Sequence, residues 1–198
     1  MNLPNKISLA RIFMIPVFML FFFLDFPFHY GIAAIVFAIA ACTDFIDGHI
    51  ARSRGLVTNL GKFLDPIADK VLVSTAMLLL LTMKSDLFVK ANGASEAIYV
   101  AIAVCICVIM AREFMISAFR QIAATRGIVM AAEKLGKYKT TFQDISIFIL
   151  ILAADIASTA GVVVFWIGMA LFAVATVLTI VSGISYVVKN KQVLKDKE

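Results

Sequence analysis

The chain has 198 residues, 62% of them hydrophobic and 16% charged, with a formal net charge of +5 and a mean hydropathy of +0.99. That balance excludes an ordinary soluble domain and places the chain in a bilayer, with no nucleic-acid partner expected. A hydrocarbon core about 30 Å thick takes roughly 20 apolar residues per helical crossing. The sequence offers six runs of about that length, which predicts an all-α fold: a polytopic bundle of six transmembrane helices after a short amino-terminal juxtamembrane segment, forming one domain over 1–198.

The first run, 7–24, lacks a small-residue cleavage site of the A-x-A kind after it, since Leu24, Asp25, Phe26 and Pro27 follow, and is read as a retained helix. The second and third runs, 31–52 and 63–83, hold most of the unusual residues. The fourth run is 97–124. The fifth, 141–156, is short and ends before Ser158, Thr159 and Gly161, so a five-helix arrangement with an interfacial segment is the alternative. The sixth run is 161–188. Cys42, Cys105 and Cys107 all fall inside apolar runs, where free cysteine acts as a small hydrophobe, and no disulfide framework or zinc site is implied. With the amino terminus in the cytoplasm, all of the 18 Lys and Arg residues except Lys84 and Lys90 lie on cytoplasmic segments or within helices. The positive-inside rule favours that orientation, with both termini inside. The terminal cluster of Lys189, Lys191, Lys195 and Lys197 is read as a topology signal that also touches anionic headgroups.

The chemistry concentrates where the second run passes into the third. Asp44 and Asp47 are three residues apart, and Asp65 and Asp69 four apart, so each pair shares one face of a helix. An ionised side chain near the bilayer interior costs a few kcal/mol or more unless it finds a partner or a wet cavity. Four carboxylates together call for a cause, and a bound cation is the simplest. Short-looped antiparallel neighbours would bring the pairs face to face at the cytoplasmic end. A cage of carboxylate oxygens, with no cysteine and only His49 nearby, suits Mg²⁺ or Mn²⁺. Gly48 follows Asp44 by four residues and Gly61 precedes Asp65 by four, clearing space on the same face. Close packing of membrane helices accounts for such glycines equally well. Arg52, at a helix end, serves either as an interface anchor or as a fork of donors to a phosphate. In the fourth run Arg112 and Glu113 stand deep in apolar sequence, where isolated charges are expensive, so they are expected to pair or to line a polar cavity.

Asp44, Asp47, Gly48, Ala51, Arg52, Gly61, Asp65 and Asp69 match without gap or substitution the signature D-x-x-D-G-x-x-A-R-x8-G-x-x-x-D-x-x-x-D, and the chain resembles the CDP-alcohol phosphotransferase family. Further segments resemble the phosphatidylglycerophosphate synthases within it: Ala111 to Phe114, Gly136 to Thr140, and the opening Pro4 to Arg11, where Ser8 stands in place of the more usual threonine. The resemblance implies displacement of CMP from CDP-diacylglycerol by the hydroxyl of sn-glycerol 3-phosphate. It implies two divalent metals on Asp44, Asp47, Asp65 and Asp69, with Asp69 also taking the hydroxyl proton. Asp44, Gly48, Ala51, Arg52 and Gly61 would receive the CDP-lipid, and Arg112, Lys137 and Lys139 the acceptor's phosphate. A homodimer in the cell membrane, with its active site facing the cytoplasm, is expected on the same ground. The same chemistry with inositol phosphate, serine, inositol or phosphatidylglycerol is the nearest alternative, and cation transport is the alternative from another class.

Overall fold

The computed structural model describes residues 3–53, 59–125 and 134–190, with side chains described over 5–43, 67–91, 94–123 and 135–190. Six α-helices follow in chain order: α1 Leu3–Phe23, α2 His29–Ser53, α3 Asn59–Thr82, α4 Ser95–Thr125, α5 Lys134–Ala154 and α6 Thr159–Lys189. A 3-10 helix over Phe88–Ala94 leads into α4, and no strand occurs among the described residues. Each predicted apolar run is a helix. The short fifth run belongs to a longer one, because α5 begins at Lys134 and carries the polar turn before the apolar residues.

The pattern of α6 shows how sequence sets the packing. Gly161, Gly168, Ala175 and Ser182 recur every seven residues, and Phe165, Phe172, Thr179 and Tyr186 do the same, and all eight are buried. A seven-residue repeat of small and large side chains is the seam of a left-handed helix pair, and α5 lies along it. A Cβ at Gly168 would stand 2.8 Å from Leu150 Cδ2 and 2.9 Å from its Cγ, so glycine lets α5 approach closely. On the other side, α1 packs on α2 and α3, and α2 also meets α5. Their shared core includes Phe18, Phe37, Leu72, Met77 and Ile151. Phe18 meets Phe22 edge-on and Phe37 at a tilt, with ring centroids 5.9 Å apart in both pairs.

At the end of the bundle where α1 joins α2, α3 joins α4 and α5 joins α6, polar side chains tie the connections together. The Gly31 amide donates to Asp155 Oδ2 at 2.6 Å, Lys90 Nζ to the Ile156 carbonyl at 2.8 Å, and the Tyr30 hydroxyl to Asp86 Oδ2 at 2.9 Å. Phe28, just before α2, holds a positive φ of 64°, uncommon for an aromatic residue, and its carbonyl accepts the Ile32 amide at 3.0 Å.

Among the described residues three helices, over Asn5–Phe23, Ser95–Ala123 and Thr159–Lys189, are long and apolar enough to cross a membrane. Phe13, Val104, Val163 and Ile184 on these helices are exposed, an arrangement suited to hydrocarbon rather than water.

Candidate functional site

Arg112 and Glu113 do not stand alone in α4. Glu113 Oε1 accepts from Arg112 Nη1 at 2.9 Å and from Lys139 Nζ, on α5, at 2.7 Å. Its other oxygen lies 3.8 Å from Lys70 Nζ, on α3. Arg112 Nη2 donates across to Ser182 Oγ on α6 at 2.9 Å. One carboxylate therefore gathers cations from three helices, and a fourth helix steadies the guanidinium. Burying charge is tolerable only with such pairing and hydrogen bonding, and Lys139 is buried to 3% exposure.

Local sequence explains how each group arrives. Residues 182 and 183 of α6 are Ser and Gly; a Cβ at Gly183 would lie 3.0 Å from Arg112 Cγ and 3.4 Å from its Nε. The missing side chain lets the arginine lie along α6, where Ser182 Oγ receives it. Arg112 Nε itself is buried without a hydrogen-bond partner among the described residues. On α5, Lys139, Gln143, Ser146 and Leu150 are all buried, at spacings that form one helical face. Lys137 is exposed, because two positions along a helix amount to about 200° of rotation. The structure thus brings Arg112 and Lys139 together through Glu113 and leaves Lys137 on the opposite side of α5. Farther along α4, Arg120 Nε donates to the Tyr186 hydroxyl of α6 at 3.1 Å, a second link between these helices.

Asp69 is half-buried on α3, one residue before Lys70. The backbones of Asp44, Asp47, Gly48, Ala51 and Arg52 lie in α2, and those of Gly61 and Asp65 in α3; their side chains lie outside the described residues. Both segments are helical, as the expectation of shared faces from the sequence spacing requires, and α2 and α3 are in contact. Among the described side chains no group of three or more His, Cys, Asp or Glu stands ready to hold a metal ion. Next to this segment, Arg11 of α1 is buried and its Nε donates to Thr43 Oγ1 at 3.3 Å. Thr43 Oγ1 in turn donates to the Ala40 carbonyl at 2.6 Å, so a buried cation is fixed one residue ahead of Asp44.

Sequence reasoning missed Lys70 and Ser182. Lys70 carried a usable signal, since a lysine directly after an aspartate in an apolar run is a second costly charge. Ser182 carried none until the phase of α6 against α4 was known.

An all-helical membrane protein with a cation-rich polar cluster at one end, beside an aspartate-bearing helix pair, is the class that fold and site define. The CDP-alcohol phosphatidyltransferase family model matches residues 1–192, and the chain belongs to that family. It is 40% identical over 209 residues to a protein of Bacillus subtilis (strain 168), covering 98% of this chain and 97% of the relative. A protein of Rickettsia bellii (strain RML369-C) is 37% identical over 190 residues, with 93% of each chain covered. One from Shigella flexneri serotype 5b (strain 8401) is 35% identical over 198 residues, covering 99% of this chain and 98% of the relative. All three are named CDP-diacylglycerol--glycerol-3-phosphate 3-phosphatidyltransferase.

Proposed function

We propose that the protein transfers the phosphatidyl group of CDP-diacylglycerol to sn-glycerol 3-phosphate, giving phosphatidylglycerophosphate and CMP. The observation that carries this reading is on α3, which bears Asp69 and also the Lys70 that approaches the Arg112–Glu113–Lys139 cluster. A surplus of positive charge thereby adjoins the aspartate segment, as a phosphorylated acceptor requires. The relatives that match nearly the whole chain support the same reading by their names.

The hydroxyl oxygen of the acceptor attacks the phosphorus that bears the diacylglycerol. The bond from that phosphorus to the bridging oxygen breaks, and CMP departs with the electron pair. Asp69 accepts the hydroxyl proton, a role open to a carboxylate within hydrogen-bond reach. Arg112 and Lys139 hold the acceptor's phosphate through charge-assisted hydrogen bonds, while Lys137, on the opposite side of α5, adds positive charge nearer the entrance. Arg52 offers its fork to a donor phosphate, while Gly48, Ala51 and Gly61 leave room for the nucleotide beside Asp44. Asp44, Asp47, Asp65 and Asp69, an all-carboxylate donor set paired at helical spacing, fit two Mg²⁺ or Mn²⁺ ions. Such ions, when bound, would neutralise the diphosphate and stabilise the charge shared by attacking and leaving oxygens.

The wider arrangement belongs to the same proposal. The chain is one domain of six membrane-spanning helices in the cell membrane, with both termini and the active site facing the cytoplasm, and it works as a homodimer. The decisive experiment is CMP release by purified protein in detergent with CDP-diacylglycerol and Mg²⁺, offering glycerol 3-phosphate, serine, inositol, inositol phosphate and phosphatidylglycerol separately. Release with glycerol 3-phosphate alone is the expected result. Release with another alcohol would keep the aspartate chemistry and replace the acceptor.

A further inference from the structure

Lys70 stands in a different position from the other two cations of the cluster. Lys139 is spent on Glu113 at 2.7 Å and is almost wholly buried. Arg112 is held by Glu113 on one side and Ser182 on the other. Lys70 Nζ lies 3.8 Å from Glu113 Oε2, within reach of its charge but beyond hydrogen-bond distance, and the side chain keeps 27% exposure. It has no hydrogen-bond acceptor among the described residues, so all of its donors remain for a ligand, whereas Arg112 and Lys139 share theirs with Glu113 and Ser182. Three cations against the single carboxylate of Glu113 leave two positive charges, which balances a phosphomonoester carrying about −1.5 to −2 at pH 7. Neutral alcohols would leave that charge uncompensated.

We infer that Lys70 is a further phosphate-binding residue for the acceptor, beside Arg112 and Lys139, with Glu113 as the positioning residue that orients it from α4. This rests on reading the site as the pocket of a phosphorylated alcohol. Its consequence for specificity follows from the chain itself. Asp69, the base, and Lys70, the phosphate ligand, are consecutive residues of one helix, with Cα atoms about 3.8 Å apart. The acceptor's hydroxyl and its phosphate are both referred to the same turn of α3, which favours a small acceptor with the two groups a few atoms apart.

The test uses the full-length protein in detergent, with Michaelis constants measured for each substrate. Lys70→Met is expected to raise KM for glycerol 3-phosphate at least about tenfold, the loss of one charge-assisted hydrogen bond, with KM for CDP-diacylglycerol close to the parent value. Lys70→Arg should recover most of the loss. Glycerol 3-phosphate should raise the parent's thermal denaturation midpoint, and the Lys70→Met midpoint clearly less. An unchanged KM for glycerol 3-phosphate, or a rise for CDP-diacylglycerol instead, would overturn the assignment. So would loss of folded protein in both Lys70→Met and Lys70→Gln with rescue by Lys70→Arg, which would make Lys70 a structural ion-pair partner. A parent enzyme that ignores glycerol 3-phosphate refutes the function itself, whereas a parent that uses it beside an unaffected Lys70→Met removes only Lys70.

Discussion

Asp69 has a described side chain in the structure, half-buried on α3, and carries the heaviest proposed duty. Asn keeps its size and removes its basicity, so Asp69→Asn is expected to stay folded and to lose at least about 100-fold in turnover, the usual worth of a positioned base. CMP release beside a size-exclusion profile checks it, and near-normal turnover from folded protein would sink the assignment. At this scale the sequence revealed that Arg112 and Glu113 needed partners, because unpaired charge deep in an apolar helix is too costly to keep. It did not distinguish Lys139 from Lys137. Their helical phases differ, but which phase points inward depends on how Leu150 and Ile149 seat against Gly168 of α6, a tertiary fact. The partner of Lys139 was likewise hidden, since Glu113 stands 26 residues earlier in the chain.

Helices as units were largely legible, because hydrophobic runs long enough to cross a bilayer have few other uses. The start of α5 was the exception. Hydropathy marks where side chains turn apolar, while the helix itself begins at Lys134, and charged residues are compatible with a helix wherever their heads reach a polar environment. The seven-residue repeat of α6 yields a prediction at this scale. Gly168→Leu forces bulk into a gap already closed by Leu150 and Ile149, and overpacking of this kind costs about 1–3 kcal/mol. A lower thermal midpoint in detergent is expected, with KM for both substrates little changed in whatever protein remains folded. A substitution at exposed Val177 on the same helix serves as the control, since it meets no neighbour that must move.

Across the whole molecule, polar ties close one end and the Arg112–Glu113–Lys139 cluster marks the other, with Phe18, Phe37, Leu72 and Ile151 between them. Along α4, the path from Ser95 to Arg112 covers about 26 Å, most of the roughly 30 Å that a hydrocarbon layer measures. The proposed carboxylate cage rests on sequence spacing and chemistry, and it leads to a prediction for the assembled protein. Chelation with EDTA should abolish CMP release, and added Mg²⁺ or Mn²⁺ should restore it; full activity after exhaustive chelation would refute a metal-dependent site. The placement of the Arg112–Glu113–Lys139 cluster and Lys70 at one end of the bundle has a further consequence. On the proposed function, substrate phosphates enter, react and leave at a single face and carry no charge through the low-dielectric layer, where each elementary charge moved would couple about 2.3 kcal/mol per 100 mV. Turnover in sealed vesicles should therefore be indifferent to an imposed diffusion potential of either sign, so that synthesis could continue in a cell whose membrane has been depolarised.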